Sequence, residues 1–202
     1  MKNQLRYGIL ALFITNLSLH AIDWNQYHGV QSDNKTEETL ASTTFLAKSS
    51  SMKWKVSTPL GFSSFAVVKD RAYTMIAEED EDGLMREVCI ALDLKTGKRL
   101  WSSWLTVMDY NSGGGNSGAP GNNGGDGPRS TPSAFGDKVW VYDSDMTLHC
   151  LDAQTGKSIW TVKVLKVHNG KNIKWKNSSA PLIEGNLVIV YGGGPGQSLL
   201  AF

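Results

Sequence analysis

Ala91-Leu92-Asp93-Leu94-Lys95-Thr96-Gly97-Lys98-Arg99-Leu100-Trp101 is followed, 59 positions on, by Cys150-Leu151-Asp152-Ala153-Gln154-Thr155-Gly156-Lys157-Ser158-Ile159-Trp160. Asp, Thr, Gly, Lys and Trp keep the same spacing in both copies. Each copy reads as a strand, a tight turn and a second strand. Gly97 and Gly156 take the φ > 0 position that a side chain resists. The carboxylates of Asp93 and Asp152 are placed to accept N–H groups inside the turn that Thr96 and Thr155 complete. Trp101 and Trp160, four residues past the glycine, are placed to lie flat against a neighbouring unit. Self-similarity at this period marks a repeat architecture.

Working outward, strand signals fall in groups of four. Ser64–Val68, Ala72–Ile76, Glu87–Leu92 and the run from Lys98 make a first unit over about residues 61–106. Pro132–Phe135, Lys138–Tyr142, Thr147–Leu151 and Ser158–Val162 make a second over about 130–165. A third begins at Ser178, where Pro181 takes the place of Pro132, and runs incomplete to Phe202. Val139-Trp140-Val141-Tyr142 is apolar on both faces, as a sheet held between two others must be. Four antiparallel strands joined by short turns make one blade of a β-propeller. The expected fold is therefore all-β, with roughly two and a half blades of a ring that closes with about four to eight.

The phrase Ala-x-Asp-x-x-Thr-Gly-x-x-x-Trp resembles the tryptophan-docking motif of the propeller repeat named for pyrroloquinoline quinone (PQQ). The first copy matches at every fixed position, and the second departs only at Cys150. Asp23-Trp24-Asn25-Gln26-Tyr27-His28-Gly29 resembles the opening of many exported members, with His28 where Arg is usual and Val30 where Pro is. The family includes quinoprotein alcohol dehydrogenases, outer-membrane assembly factors and exported propellers of unassigned function. The blade count falls short of a closed ring, so the expectation is that C-terminal blades of the same protein are missing and that this chain is an N-terminal fragment or a truncated reading frame. PQQ with Ca²⁺ is a cofactor by resemblance only.

The N-terminus reads as a secretory leader. Lys2 and Arg6 precede an apolar run from Ile9 to Leu19, too short to span a bilayer. Ser18-Leu19-His20-Ala21 offers a cleavage site ahead of Ile22, so residues 1–21 form a signal peptide, and the mature chain is periplasmic or secreted without a transmembrane span. An uncleaved N-terminal anchor is the rival reading of the same run. No cysteine follows the run, so it is not a lipoprotein leader. Residues 22–57 read as an N-terminal extension whose Met52–Val56 is an outer, ring-closing strand with Trp54 in the place of Trp101 and Trp160. Residues 58–202 carry the repeats.

The charge excludes some partners. Twenty Lys and Arg face 19 Asp and Glu, and the leader takes Lys2 and Arg6. The scattered lysines give no nucleic-acid footprint. Cys89 and Cys150 sit in corresponding strands of different repeats, displaced by two positions; an exported context allows a bridge between them, and buried free thiols are the favoured reading. There is no adjacent Cys-Cys pair of the quinone-site kind, and no C-x-x-C-H for haem. In the acidic loop Glu78–Gly83, alignment to a calcium loop puts Cys89 where a bidentate Glu is required, so the loop reads as a hairpin tip. Gly192-Gly193-Gly194-Pro195-Gly196 precedes a strand rather than a helix, so it reads as a hairpin turn and not a phosphate cradle. The segment 111–127, NSGGGNSGAPGNNGGDG, is too poor in apolar residues to order itself and reads as a rim loop.

Ligands of propellers sit over the central channel, where the innermost strands enter. The residues opening those strands are Phe62-Ser63-Ser64, Arg129-Ser130-Thr131 and Asn177-Ser178-Ser179. Arg129 offers paired donors to an anion such as a quinone carboxylate, or hydrogen-bonds to loop carbonyls. Trp175 stacks on a ring or packs under a loop. The candidate binding positions are thus Arg129, Ser130, Trp175 and Ser178. His28 reads as a ligand or acid–base group, or as a polar residue on a packing segment. No catalytic residue and no metal set is assignable from the sequence. Three functions remain open: an exported binding or scaffold module, part of a quinoprotein dehydrogenase, or an envelope-assembly factor binding extended peptides.

Overall fold

In the computed structural model, residues 22–38, 52–108, 127–173 and 176–202 are described. The leader, most of the polar loop before Met52, nearly all of the glycine-rich segment and Trp175 lie outside these residues. Strands β1 (Ala66–Val68), β2 (Arg71–Glu79), β3 (Met85–Asp93) and β4 (Arg99–Val107) form the first sheet in sequential order. Strands β5 (Ser133–Phe135), β6 (Lys138–Tyr142), β7 (Thr147–Asp152) and β8 (Ser158–Lys163) form the second. A short helix α1 (Val164–Val167) leads on to β9 (Leu182–Glu184), β10 (Leu187–Gly194) and β11 (Gln197–Ala201) in a third sheet of three strands. Every pairing within the sheets is antiparallel. The architecture is nearly all-β and matches propeller blades without a closed ring, as expected. No helix among the described residues is long and apolar enough to cross a membrane.

The two copies of the repeated phrase fold alike down to their irregularities. Ala91 pairs with Trp101 and Cys150 with Trp160, and each ladder slips by one residue immediately afterwards. In the first turn, Asp93 Oδ1 accepts bonds from Thr96 Oγ1 at 2.7 Å, Thr96 N at 2.8 Å and Lys95 N at 3.1 Å. Asp152 repeats the set with Thr155 Oγ1, Thr155 N and Gln154 N at 2.7, 2.8 and 3.1 Å. These bonds, the threonine hydroxyl first among them, hold both carboxyls below the usual carboxylate range.

Each turn also receives a tryptophan from the preceding unit. Trp101 Nε1 donates to Ala153 O at 3.1 Å, and a Cβ placed on Gly156 would meet its ring at 2.6 Å. Trp54 Nε1 donates to Leu94 O at 2.9 Å, and a Cβ on Gly97 would meet that ring at 2.7 Å. Gly97 and Gly156, at φ +72° and +70°, are required twice over, by their backbone and by the close approach of an indole.

Packing between sheets follows the period-2 alternation. Val139 and Val141 of β6 join Tyr73, Met75, Ala91, Trp101 and Leu151 in the core between the first and second sheets. Trp140 and Tyr142 point the other way, joining Leu148, Val188 and Val190 between the second and third. Each fully buried aliphatic side chain is worth about 1.5–3 kcal/mol, so β6 contributes to both interfaces.

Cys89 lies in the first core and Cys150 in the second, both buried and free. Burial raises both thiols, Cys150 to about 11. Since the thiolate is the nucleophile, neither should react with a disulfide reagent at pH 8 in the folded chain. Both should react on unfolding in urea, and prompt labelling of the folded protein would show that a core opens.

Three local expectations differ from the structure. Residues 52–57 form no strand, although Trp54 reaches its turn all the same. The helix α1 was not foreseen: four residues are too few for a periodic signal. Gly192–Gly194 continue β10 instead of turning, and the turn falls at Pro195 and Gly196. Their small size serves contact, because side chains at Gly192 and Gly194 would collide with the carbonyls of Gln197 and Asn169. The acidic loop is a hairpin tip as read: Asp80 Oδ1 caps the N–H groups of Asp82 and Leu84, and Asp80 pairs with Arg86.

Candidate ligand cleft

The innermost strands β1, β5 and β9 lie side by side, and the residues leading into them are bonded in turn. Phe62 N donates to Pro128 O at 2.8 Å, and Ser64 N to Thr131 Oγ1 at 3.1 Å. Ser130 Oγ donates to Ser179 O at 2.9 Å. The loops that open successive blades therefore form one continuous rim.

Across this rim runs the N-terminal segment. Trp24 forms an antiparallel bridge with Val67, donating at 2.8 Å and accepting at 2.7 Å. Asn25 O accepts from Ala134 N at 2.7 Å, and Gln26 Oε1 accepts from Ile183 N at 3.0 Å. Three consecutive residues thus reach the inner strands of three consecutive sheets. Gln26 is 4% exposed, and its Nε2 donates back to Val30 O and Ser32 Oγ, each at 3.4 Å. That amide fixes the turn that presents Tyr27 and His28.

Where segment and rim meet there is a cleft of about 670 Å³, within the range of small-molecule sites. One wall is Gln26, Tyr27, His28 and Ser32; the other includes Phe62, Arg129, Ser178 and Pro181. The Arg129 guanidinium lies over the Phe62 ring, 5.5 Å from its centroid, an arrangement that leaves the cation polar at its edge and apolar beneath. Tyr27 and Phe62 are 53% and 55% exposed, offering two aromatic surfaces. Asn34 Nδ2 donates to His28 Nδ1 at 3.0 Å. Among the described residues of the lining, Arg129 brings the charged side chain.

Of the positions singled out in the sequence, Arg129 and Ser178 line the cleft together. Ser130 is buried and spends its hydroxyl on the rim. Trp175 lies outside the described residues. His28 stands in the cleft wall. Gln26 and Tyr27 carried no spacing signal that would have placed them here, since they meet Arg129 only through the crossing of the rim.

A second polar cluster sits between the first and second sheets. Asp143 is fully buried; Thr106 Oγ1 donates to its Oδ2 at 2.6 Å, and His149 Nε2 lies 3.0 Å from the same oxygen. Its Oδ1 accepts from Thr147 N at 2.7 Å and Asp145 N at 3.1 Å. Every bond is internal, so the cluster joins sheets and does not face the cleft.

The model of the family described as outer membrane protein assembly factor BamB matches residues 85–202, more than half of the chain. The chain belongs to this family of PQQ-like propeller repeats. Among solved structures, quinohemoprotein alcohol dehydrogenase from Comamonas testosteroni is 20% identical with a TM-score of 0.57, over 85% of this chain and 23% of that one. A second quinohemoprotein alcohol dehydrogenase, from Pseudomonas putida, is 23% identical over 70% of this chain and 18% of its own, with a TM-score of 0.46. BamB from Moraxella catarrhalis is 17% identical over 63% and 41%, with a TM-score of 0.34. The Comamonas likeness shows the propeller fold. This BamB-family chain spans less than a quarter of that dehydrogenase. No curated protein matches the chain.

Proposed function

We propose that the chain is the N-terminal part of an exported propeller acting as a binding and scaffold module, with its small-molecule site in the cleft between the N-terminal segment and the rim. The observation that carries this reading is the lining itself: among the described residues a guanidinium, an imidazole and two aromatic faces share one cleft. Such a site suits an anion on a planar apolar body. Charge-assisted bonds of this kind contribute about 1.5–3 kcal/mol. In calorimetric titration of the 202-residue chain with benzoate, Arg129→Ala should therefore weaken binding by about tenfold or more. Equal affinity of wild type and Arg129→Ala, or no binding at millimolar benzoate, would sink the reading.

Export rests on the leader composition and agrees with the outer-membrane description of the family. Mature protein recovered from the envelope of an expressing cell should begin at Ile22. Recovery of an intact Met1 would replace the cleaved leader with an anchor. Partners of this reading are the further blades of the same protein and other envelope proteins.

The dehydrogenase reading requires PQQ and Ca²⁺ by family. Arg129 fits a quinone carboxylate. Ca²⁺ needs six to eight oxygen ligands, and among the described residues no group of three or more His, Cys, Asp or Glu could hold a metal ion. Quinone absorbance together with dye-linked alcohol oxidation in the full-length protein would overturn the ranking.

A further inference from the structure

The segment 22–38 is organised within itself. Ile22 N donates to the carboxylate of Glu38, Gly29 N to Gln26 O at 3.0 Å, Ser32 N to Gly29 O at 3.0 Å and Asn34 N to His28 O at 2.9 Å. The Trp24 indole packs on Gly29, where a Cβ would meet the ring at 3.0 Å. Among the described residues its hydrogen bonds to the sheets lie at one end: Lys69 N to Asp23 Oδ1 at 2.8 Å, the two backbone bonds of Trp24 with Val67, Ala134 N to Asn25 O, and Ile183 N to Gln26 Oε1. After Gln26 the next described residue bonded to a sheet is Trp54, beyond a stretch rich in Ser, Thr, Asn, Lys and Glu.

We infer that the inner edges of β1, β5 and β9 form a peptide-binding groove, and that residues 22–34 are its tethered ligand. The groove offers what an extended chain needs: the N–H groups of Val67, Ala134 and Ile183 and the carbonyl of Val67, all directed at one short segment. Backbone bonds give such a site its affinity, and side-chain fit its selectivity. Here selectivity lies in Gln26, whose buried amide serves the groove with one end and the ligand's own turn with the other. A tether holds a segment at an effective concentration of about millimolar, so free peptide cannot compete while the chain is whole. The groove adjoins the cleft proposed above and shares Gln26 with it, so undocking the segment would remove Gln26, Tyr27, His28 and Ser32 from the cleft wall.

Two measurements decide the matter, and neither uses the cleft ligand. In the first, a protease site is inserted between Ser50 and Ser51 of the full chain and cut, and a fluorescein-labelled peptide of residues 22–38 is added. The cut protein should take up the label with a Kd of about micromolar, and the uncut protein should not. A Gln26→Ala peptide should bind at least about fivefold more weakly. A cut protein that keeps its sheet signal but takes up no label at 100 μM, or that binds both peptides alike, overturns the inference. In the second, hydrogen exchange is followed in the uncut chain, so the result stands even if the cut protein unfolds. The amides of Val67, Ala134 and Ile183 should exchange together, and at least tenfold faster than that of Val141 in the central sheet. Gln26→Ala should speed all three. Exchange of the three only with global unfolding overturns the inference.

Discussion

Replacing Gly156 by alanine destabilises the chain by about 3 kcal/mol, and the same replacement at Gly136 by about 1 kcal/mol. Both glycines have left-handed backbones, at φ +70° and +62°. The conformational part of the cost is therefore shared, about 1–2 kcal/mol. They differ in what the added methyl meets. At Gly136 there is nothing within 4 Å, whereas at Gly156 the Trp101 ring is 2.6 Å away. Moving that ring breaks the Nε1 bond to Ala153 O and disturbs the core between the first two sheets. Urea titration read by tryptophan fluorescence checks both variants. If Gly156→Ala is no worse than Gly136→Ala, the indole can shift at little cost, and the turn contributes less to sheet packing than its geometry implies.

The second large effect is expected at Asp143. Alanine there leaves Thr106, His149 and the N–H groups of Asp145 and Thr147 without their common acceptor between the first two sheets. One unsatisfied buried donor costs about 1–3 kcal/mol, so a loss of about 3 kcal/mol or more is expected. Asn at this position keeps the size and one acceptor oxygen and should cost less. Truncating the partner, Thr106→Val, removes only the bond from the first sheet and should cost about 1 kcal/mol. Thermal unfolding of the three variants gives the order. A mild Asp143→Ala with a severe Thr106→Val would place the weight on β4 packing instead.

The repeated phrase carried most of the fold because it encodes contacts local in sequence. Asp93 and Thr96 close their own turn, and Asp152 and Thr155 close theirs, so their spacing alone predicts the geometry. The alternation in β6 likewise announced two buried faces, and the sheets on either side supply them. What sequence could not announce were meetings between distant backbones. Met52–Val56 alternates like a strand yet pairs in register with no described strand; Trp54 is fixed by Leu94 O. One oxygen of Asp143 caps the turn between β6 and β7, and the other reaches His149 and Thr106 on different strands. The site was half legible for the same reason. Arg129 and Ser178 open inner strands, a place that repeat register fixes. Gln26 and Tyr27 arrive by crossing the rim, and a backbone edge that accepts a crossing segment leaves no residue pattern of its own.

That crossing has a geometric consequence. Trp24, Asn25 and Gln26 serve the first, second and third sheets, one residue to each. An extended chain advances only about 3.3 Å per residue, far less than the spacing of stacked sheets, about 10 Å. One residue can answer to one sheet only where the sheets draw together toward their common axis, with the amide of Gln26 supplying the last of the reach. The segment therefore acts as a calliper across the inner strands of the three sheets. One residue inserted between Trp24 and Gln26 would put the count out of step, and a wider spacing of those strands would leave the third sheet beyond its grasp.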